Sequence, residues 1–226
     1  MTFRFRPAAQ SEKETVAPEP SAPAEIHHFY HIYADGAWHE PVAEHLKALQ
    51  TSGLLREDGF SLSVGLVGTD EHRVAVREFL HSRSIGWREV AASREGWEQV
   101  TLSALAKESH RSEGFVFYAH TKGASAPSRF NTEWRRRMTY YTVTCWREAL
   151  LSLETHHAYG CHWMQLQNAW LFGGNFWWTR MTYVRLLPPP ATHSRWAAEG
   201  WIGLLPHHIP EFTVCDPAGP FPGKIG

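Results

Sequence analysis

Segments with the composition of buried strands alternate with segments of helical periodicity along most of this 226-residue chain. Residues 61–69 and 114–123 are rich in β-forming and small side chains. Before the first of these segments, Val42, Leu46 and Leu49 recur at helical spacing. Strands that alternate with helices form βαβ units, whose strands lie parallel. The sequence therefore predicts an α/β fold with a mostly parallel central sheet.

The expected strands cover residues 27–36, 61–69, 87–91, 114–123 and 159–166. The expected helices cover residues 37–54, 70–83, 97–109 and 132–153, and Asp70 is expected to cap the second of them. Ligands of such sheets bind outside the carboxyl ends of the strands. That rule points to three loops: residues 34–38, residues 120–125 and the glycines before Asn175.

The chain divides into a short tail and one domain. Residues 1–25 are rich in Pro, Ala, Glu and Ser, and such a segment buries too little apolar surface to offset the entropy lost on ordering. We therefore expect a disordered tail over residues 1–25. Residues 26–226 contain no internal repeat and no linker, which predicts a single domain.

Cysteine usage and hydropathy bear on the compartment. Cys145, Cys161 and Cys215 are far apart in sequence and form no Cys-x-x-Cys pair, which favours reduced thiols over a zinc site. No apolar run approaches the roughly 20 residues that span a bilayer, and the first ten residues lack the apolar stretch of a signal peptide. These features predict a cytoplasmic protein without a transmembrane segment.

Charge and composition narrow the classes of partner. The chain has 22 Lys and Arg against 23 Asp and Glu, so it has no overall basic character for binding nucleic acid. It is rich in Trp, with 11, and in His, with 15. Excess Trp is typical of carbohydrate-handling proteins, in which sugar rings stack on indole, and equally of aromatic cores. Both explanations stay open.

The segment His-Thr-Lys-Gly-Ala-Ser follows the most hydrophobic predicted strand. Thr121 and Lys122 offer a hydroxyl and a point charge to a phosphate, and Gly123 lets the backbone turn towards a ligand. His120 could donate to a phosphate, bind a metal or act as an acid or base. The alternative is an ordinary strand-ending turn with a solvated lysine.

The segment Phe-Gly-Gly-Asn-Phe-Trp-Trp begins at Phe172. Its adjacent glycines allow a close backbone approach, and its three consecutive aromatic rings offer a stiff surface. The order of residues favours a pocket that grips a sugar or a nucleobase. The alternative is that the same rings belong to a core.

Three further positions carry groups with possible chemistry. Glu199 stands between Trp196 and Trp201, and a poorly solvated carboxylate suits proton abstraction. The paired His207 and His208 are weak candidates for metal ligands. The alternatives without a chemical role are a surface position on a helix for Glu199 and ordinary surface positions for His207 and His208.

Asp35 lies where the first predicted strand meets its loop, in the sequence Asp-Gly. It could bind a ribose or a metal, although Asp-Gly is also an ordinary turn signal. No G-x-G-x-x-G, P-loop, G-x-S-x-G or H-E-x-x-H motif occurs in the chain. Their absence disfavours a Rossmann dinucleotide site, a P-loop nucleotide site, an α/β-hydrolase and a zinc protease.

Taken in order, the motifs resemble those of a known family. The order is a Tyr-His-Ile-Tyr strand, Tyr-x-His-Thr-Lys-Gly, a helix rich in Trp and Arg, Gly-Asn-Phe-Trp-Trp, and an acidic residue between aromatics. It resembles a group of small GT-A-type glycosyltransferases found in bacteria, phages and large viruses. It is also distantly similar to the rhamnan-synthesis F proteins. The resemblance covers about residues 26–205, and its most specific parts are the His-Thr-Lys-Gly and Gly-Gly-Asn-Phe-Trp-Trp motifs.

The resemblance implies a GT-A-like nucleotide-diphospho-sugar transferase sandwich as a single catalytic domain over residues 26–226. It implies transfer of a sugar from a nucleotide-sugar donor, UDP- or dTDP-linked, to the hydroxyl of a glycan or another acceptor. Glu199 falls at the position of the catalytic base, which implies inversion. The implied donor-binding residues are Asp35, His120, Thr121, Lys122 and Gly123, and the implied acceptor- or sugar-binding residues are Gly174, Asn175, Trp177 and Trp178.

The chain departs from the family pattern at the metal site. GT-A enzymes usually carry Asp-x-Asp where this chain has His120, Thr121 and Lys122. Either Lys122 and neighbouring arginines neutralise the leaving diphosphate, or Mn²⁺ or Mg²⁺ is held through His120, His207 or His208. The first is favoured, because these ions prefer carboxylate oxygen and the loop offers none.

Two alternatives are retained. The missing Asp-x-Asp motivates a nucleotide- or carbohydrate-binding module without turnover. A phage-type glycosyltransferase acting on DNA bases is a narrower alternative. The arginines between Arg129 and Arg137 argue weakly for this enzyme, and the neutral net charge argues weakly against it.

Overall fold

A computed structural model describes residues 25–166, 169–192, 194–204 and 212–220 of the chain. Residues 1–24 of the expected tail lie outside these ranges, as do His207 and His208. The strands are β1 (Ile26–Tyr33), β2 (Phe60–Val67), β3 (Arg88–Ser93), β4 (Phe115–His120), β5 (Ala158–Gly160), β6 (Trp163–Leu166), β7 (Ala169–Phe172), β8 (Trp177–Arg180) and β9 (Val214–Cys215). The α-helices are α1 (His39–Thr51), α2 (Asp70–His81), α3 (Gln99–Glu108), α4 (Arg129–Thr139), α5 (Trp146–Ser152), α6 (Met181–Val184) and α7 (Arg195–Glu199).

Seven of the described strands form one sheet in the order β3-β2-β1-β4-β8-β5-β9. The first four are all parallel, with β1 between β2 and β4. β8 is antiparallel to β4 and β5, whereas β9 is parallel to β5. β6 and β7 form a separate antiparallel hairpin. The prediction of an α/β fold with a mostly parallel central sheet is confirmed.

Helices cover both faces of the large sheet. On one face α1, α2 and α4 bury Leu46, Leu80 and Met138 against the strands. On the other face α3 and α6 bury Leu105 and Tyr183. Each helix places its apolar stripe on the sheet, so the domain is a helix–sheet–helix sandwich with one core on either side.

The expected long helix over residues 132–153 is divided in two. It also begins earlier than expected, because the Ser128 hydroxyl accepts a hydrogen bond from the Asn131 N–H at 3.1 Å and caps α4. A turn of π-helix over Tyr140–Thr144 then separates α4 from α5.

The π-helical turn supplies acceptors to buried aromatic donors. Trp178 Nε1 donates to the Thr142 carbonyl at 2.7 Å, and Tyr159 Oη donates to the Tyr141 carbonyl at 3.2 Å. A π-helical turn has i→i+5 backbone hydrogen bonds in place of the i→i+4 bonds of an α-helix. Where the two patterns meet, backbone carbonyls become available to accept from side chains. The interruption therefore follows from tertiary contacts, which helical periodicity does not encode.

Two smaller expectations also need correction. Thr69, rather than Asp70, caps α2, since its hydroxyl accepts from the His72 N–H at 3.5 Å and Asp70 lies in the first turn. The strand expected over residues 159–166 is divided between β5 and β6. His162 has a φ of 61° between them, and this left-handed residue turns the chain out of the large sheet into the hairpin.

Candidate functional site

The carboxyl ends of the parallel strands open into a cleft of about 610 Å³. Tyr33, Val67 and His120 stand at the ends of β1, β2 and β4, and all three line it. The loop after β3 contributes residues 94–98, and α7 contributes Arg195. Ligand pockets commonly have volumes of about 300–1,000 Å³. The cleft therefore has the size and position of a ligand site in an open α/β sheet.

The structure brings together the five residues expected to bind a donor. Asp35, His120, Thr121, Lys122 and Gly123 all line the cleft. Gly123 has a φ of 87°, so a left-handed turn follows Lys122 and folds the loop back towards α4. The grouping of these residues follows from the sheet, while their role in binding a donor stays a prediction.

Lys122 is held as a buried cation. It is 9% exposed, and its Nζ lies 4.0 Å from the centre of the Trp134 ring. Burial lowers the pKa of Lys122, and the charges of Glu199 and Glu98 oppose that effect. The solvated lysine that the sequence left open is therefore ruled out. A poorly hydrated ammonium interacts with an anion more strongly than an exposed one, because water screens it less.

Backbone contacts fix the loop that carries this lysine. The Thr121 hydroxyl accepts from the Tyr33 N–H at 3.0 Å, which ties the ends of β1 and β4 together. The Lys122 carbonyl accepts from Arg135 Nη1, also at 3.0 Å. The loop is therefore held by β1 on one side and by α4 on the other.

Asp35 joins the loop after β1 to the start of α2. Its Oδ1 accepts from the Thr69 N–H at 2.8 Å and lies 2.8 Å from His72 Nδ1. Burial alone would raise the pKa of Asp35, but these hydrogen bonds lower it below its ordinary value. The residue is therefore a carboxylate at the cleft wall.

His120 is a neutral imidazole with a defined tautomer. Burial and the Lys122 charge lower its pKa to about 3. Its Nε2 lies 2.9 Å from the Gly174 carbonyl, which can only accept, so Nε2 carries the proton. Its Nδ1 lies 3.4 Å from Glu98 Oε1.

Glu98 forms the floor of the cleft at the start of α3. It is 4% exposed, and its Oε2 accepts from Tyr118 Oη at 3.0 Å and from Asn175 Nδ2 at 2.5 Å. Asn175 Oδ1 in turn accepts from Trp177 Nε1 at 2.7 Å. Thus Asn175 supports the cleft from beneath, through Glu98, and is not among the residues that line it.

The expectation that Trp177 and Trp178 form a ligand-facing wall is wrong. Both are fully buried in β8, with 0% exposure. Consecutive residues of a strand point to opposite faces, so Trp178 lies in the core beside α1 and α4, and Trp177 lies in the core beside α3. Trp178 stacks on Phe117 with ring centres 4.9 Å apart, and Trp177 stacks on Tyr118 at 5.1 Å, so neither fully buried indole has free surface for a sugar.

Gly174 also serves the architecture. It has a φ of 88°, and a Cβ there would lie 2.5 Å from Met138 Sδ. Its carbonyl accepts a hydrogen bond from His120 Nε2. The Gly-Gly-Asn motif thus shapes the turn beneath the cleft, which differs from the expected contact with acceptor or sugar.

Glu199 lies near the cleft without lining it. It is 6% exposed on α7, and its Oε1 lies 3.3 Å from Arg195 Nε. Its charge acts on both Lys122 and His120. Its assignment as the base therefore stays a prediction, and the structure adds Glu98 as a second buried carboxylate that does line the cleft.

The sequence interpretation overlooked several residues of the cleft, among them His31, Arg94, Glu98 and Arg195. The rule on carboxyl ends could have found residues 94–98, because β3 is parallel and ends at the same edge as β1, β2 and β4. His31 lies inside a strand pattern, and Arg195 reaches the cleft through a distant helix. No local signal identified these two.

The described residues do not fit the metal site that the family resemblance implies. Within these residues, no group of three or more His, Cys, Asp or Glu side chains could hold a metal ion. At the loop itself, His120 Nε2 donates to Gly174, so Nδ1 is the one ring nitrogen left for a metal, and the Lys122 ammonium repels a cation. The other candidates, His207 and His208, lie outside the described residues.

The arginines of α4 are mostly paired. Arg135 and Arg136 both contact Glu44, at 2.7 and 2.5 Å, and Arg129 contacts Glu133 at 2.8 Å. These pairs neutralise much of the basic patch that could favour DNA binding. Among the helices in the described part of the chain, none is long and apolar enough to cross a bilayer.

Comparison with known proteins supports the fold. A family model described as "Domain of unknown function (DUF8361)" matches residues 29–199. The mannosyltransferase PcManGT from Pyrobaculum calidifontis, solved in complex with GDP-Man and Mn²⁺, aligns with a TM-score of 0.50 and 16% identity over 91% of this chain. The alignment covers 58% of that chain, so this chain spans less than two thirds of the mannosyltransferase.

A second solved structure, a protein of Desulfovibrio desulfuricans G20 named as a candidate nucleotide-diphospho-sugar transferase, aligns less well. Its TM-score is 0.47 at 11% identity, over 85% of this chain and 79% of that chain. No curated protein matches the chain in sequence. The sheet order and the alignment with the mannosyltransferase together show a GT-A-like fold.

Proposed function

The chain belongs to the DUF8361 family of domains of unknown function, and on the basis of its fold and cleft we propose that it is a glycosyltransferase using a nucleotide-sugar donor. The observation that carries the proposal is the buried Lys122 ammonium at the carboxyl-end cleft of a GT-A-like sheet. A cation in that position suits a diphosphate, whose charge grows when the bond to the sugar breaks.

The proposed reaction is a direct displacement. The hydroxyl of a glycan or another acceptor attacks the anomeric carbon of the donor, and the nucleoside diphosphate leaves from the opposite face with inversion. Lys122 stabilises the leaving diphosphate, with Arg94 and Arg195 available from the other walls. Arg195 also contacts Glu199, so its charge is partly offset in the free protein.

This proposal does without a metal-dependent step. The described residues supply no cluster for Mn²⁺ or Mg²⁺, and the ammonium of Lys122 occupies the loop where a metal would otherwise balance the diphosphate. A buried lysine can supply the electrostatic stabilisation, because its charge is fixed in place and poorly screened. We therefore expect nucleotide binding that does not require Mn²⁺.

The identity of the nucleotide has to be determined by experiment. The mannosyltransferase with the similar fold binds GDP-Man, whereas the motif resemblance favours UDP- or dTDP-linked sugars. Thermal unfolding should be followed with GDP, UDP, dTDP and their sugars, with and without Mn²⁺. A ligand at one hundred times its Kd stabilises a protein by about 2.7 kcal/mol, which is a clear rise in Tm. If none of these nucleotides raises the Tm, the proposal is wrong.

The second candidate is a nucleotide- or carbohydrate-binding module without turnover. It is favoured by the lack of a metal-binding cluster among the described residues. An assay of nucleoside diphosphate release from the nucleotide sugar that binds distinguishes the transferase from the module. The module binds the nucleotide sugar and releases no nucleoside diphosphate. The DNA-modifying alternative gains no support from the paired arginines of α4, and salt-dependent DNA binding would be its test.

A further inference from the structure

Two proton acceptors face each other at the floor of the cleft. His120 Nε2 is committed to the Gly174 carbonyl, so Nδ1 presents its lone pair. Nδ1 lies 3.4 Å from Glu98 Oε1, which is longer than an ordinary hydrogen bond. A neutral imidazole nitrogen and a carboxylate oxygen at this distance repel each other, and a proton between them would turn the repulsion into a hydrogen bond.

Neighbouring groups fix the orientation of the Glu98 side chain in this arrangement. Tyr118 Oη and Asn175 Nδ2 both donate to Oε2, which leaves Oε1 directed at His120. Burial and the Glu98 charge raise the pKa of Tyr118 well above its ordinary value, so the phenol keeps its proton and remains a donor. The carboxylate therefore cannot turn away from His120 without losing two buried hydrogen bonds.

Both residues are largely buried but contribute to the lining of the cleft. Glu98 and His120 line the cleft together with Lys122, whereas Glu199 does not line it and is paired with Arg195. The charged and titratable groups that act on His120 are Lys122, Glu199 and Arg195, with Glu98 in contact and His31 close by on β1. An acceptor hydroxyl next to a diphosphate at Lys122 would thus meet this pair.

We propose that Glu98 and His120 together form the proton-accepting site of the cleft, in place of Glu199. This inference rests on the proposed glycosyl transfer. The acceptor O–H bond breaks while its oxygen bonds to the anomeric carbon. The bond from that carbon to the diphosphate oxygen breaks, and the nucleoside diphosphate leaves with the electron pair. The proton passes to His120 Nδ1, is shared with Glu98 Oε1, and goes to solvent after product release.

The arrangement favours the transition state over the bound substrate. Before transfer, no hydrogen bond joins His120 Nδ1 and Glu98 Oε1. The hydrogen bond between them forms only as the proton arrives. General-base catalysis by a positioned group contributes about 10²- to 10⁴-fold to a rate. The rest of the catalysis would come from Lys122 and from holding the two substrates together.

The test compares Glu98→Gln, His120→Gln and Glu199→Gln in an assay of nucleoside diphosphate release from GDP-mannose and UDP-glucose. Gln at position 120 can keep the donor to the Gly174 carbonyl while removing the basic Nδ1. We expect Glu98→Gln and His120→Gln to lower kcat by about 100-fold or more, with the KM for the donor changed by less than about threefold. The loss in Glu199→Gln should be much smaller. Glu71→Gln, on the exposed start of α2, is the matched control and should behave as the wild type.

A pH profile separates this role from a structural one. Burial and the Lys122 charge lower the pKa of His120 to about 3, so the acid limb of kcat/KM should lie at low pH in the wild type. That limb should disappear in His120→Gln, whereas a merely structural loss would lower the whole profile without changing its shape. If Glu98→Gln does not fold, His120→Gln carries the test by itself.

Other outcomes overturn the inference in distinguishable ways. Activity kept in Glu98→Gln and His120→Gln but lost in Glu199→Gln assigns the base to Glu199 and leaves the proposed function intact. A wild-type protein that binds nucleotides and releases no diphosphate is a binding module, and the inference fails. A wild-type protein that binds none of them overturns the proposed function and the inference together.

Discussion

The Nζ atom of Lys122 lies 4.0 Å from the centre of the Trp134 ring, at the wall of the cleft. The contact joins the loop after β4 to helix α4, and the lysine is 9% exposed. A cation over an indole is stabilised by the negative face of the ring, by about 0.5–2 kcal/mol. The ring thus holds the charge in place without neutralising it, and leaves it able to meet an anion.

The first prediction concerns this charge. Lys122→Met keeps the length and apolar stem of the side chain and removes the ammonium. A hydrogen bond to a charged group contributes about 1.5–3 kcal/mol, so the affinity for the nucleoside diphosphate that binds best should fall by about 10- to 150-fold. Isothermal titration calorimetry measures the change. Lys47→Met, on the exposed face of α1, is the control of equal charge, and an equal loss in both variants would contradict a specific role.

The second prediction is that the affinity for nucleotide falls at a pH below the ordinary pKa of a lysine. Burial lowers the pKa of Lys122 below its ordinary value. A cation binds the diphosphate below its pKa, so affinity is present at neutral pH and is lost as the pH rises through the lowered value. Titrations between pH 7 and 10 should show the loss in the wild type and none in Lys122→Met. A flat profile in the wild type would count against the role of the ammonium.

The third prediction is loss of stability in mild acid. Burial lowers the pKa of His28 to about 3 and that of His31 to about 4, and it also lowers the pKa of His45 well below the ordinary value of 6.5. These side chains are neutral when folded and bind protons when unfolded below pH 6.5. Stability is therefore present above pH 6.5 and is lost as the pH falls from there towards 4, by roughly 1.4 kcal/mol per pH unit for each histidine. Urea unfolding at pH 7.5, 6.5 and 5.5 gives the slope.

A double variant isolates the contribution of one histidine pair. His28 and His45 lie with their Nε2 atoms 2.7 Å apart in the core. Replacing both by Leu removes donor and acceptor together, and the pH slope should fall by about 2.7 kcal/mol per pH unit. An unchanged slope would show that these two histidines do not drive the acid loss.

The fourth prediction distinguishes backbone strain from crowding at Gly174. Gly174 and Gly53 have φ values of 88° and 82°, but a Cβ meets nothing within 4 Å at Gly53 and lies 2.5 Å from Met138 Sδ at Gly174. Gly53→Ala should cost about 1–2 kcal/mol of stability for the left-handed backbone. Gly174→Ala should cost about 1–3 kcal/mol more, because Met138 is buried and cannot move freely. Equal losses in urea unfolding would show that the core accommodates the methyl group.

The fifth prediction tests the buried position of the tryptophans. Trp178→Phe shrinks a fully buried side chain and leaves the Thr142 carbonyl without its indole donor. We expect a loss of about 2–4 kcal/mol of stability with an unchanged Kd for nucleotide. Trp196→Phe, at a position that is 51% exposed, should change stability by less than about 0.5 kcal/mol. A weaker nucleotide Kd in Trp178→Phe, with stability unchanged, would restore the idea of a ligand-facing wall.

The local sequence pattern was sufficient to predict the central sheet and the edge at which its loops meet. The alternation of strand and helix predicted the parallel sheet, and the rule on carboxyl ends placed Asp35 and the loop from His120 to Gly123 at one edge. These features depend on repeats of two or 3.6 residues and on the direction of the strands, which neighbouring residues determine.

The tertiary structure decided which of these groups face a ligand. The Gly-Gly-Asn-Phe-Trp-Trp segment has the composition of a pocket and of a core alike, and only the packing of helices on both faces of the folded sheet buries its indoles. In the sequence, Glu98 stands near the start of a predicted helix, and nothing near it indicates a role in the cleft. Its role depends on a hydrogen bond from Asn175, 77 positions away in the chain. Sequence periodicity describes contacts along one element, whereas the floor of this cleft is made by hydrogen bonds between elements that only the folded sheet brings together.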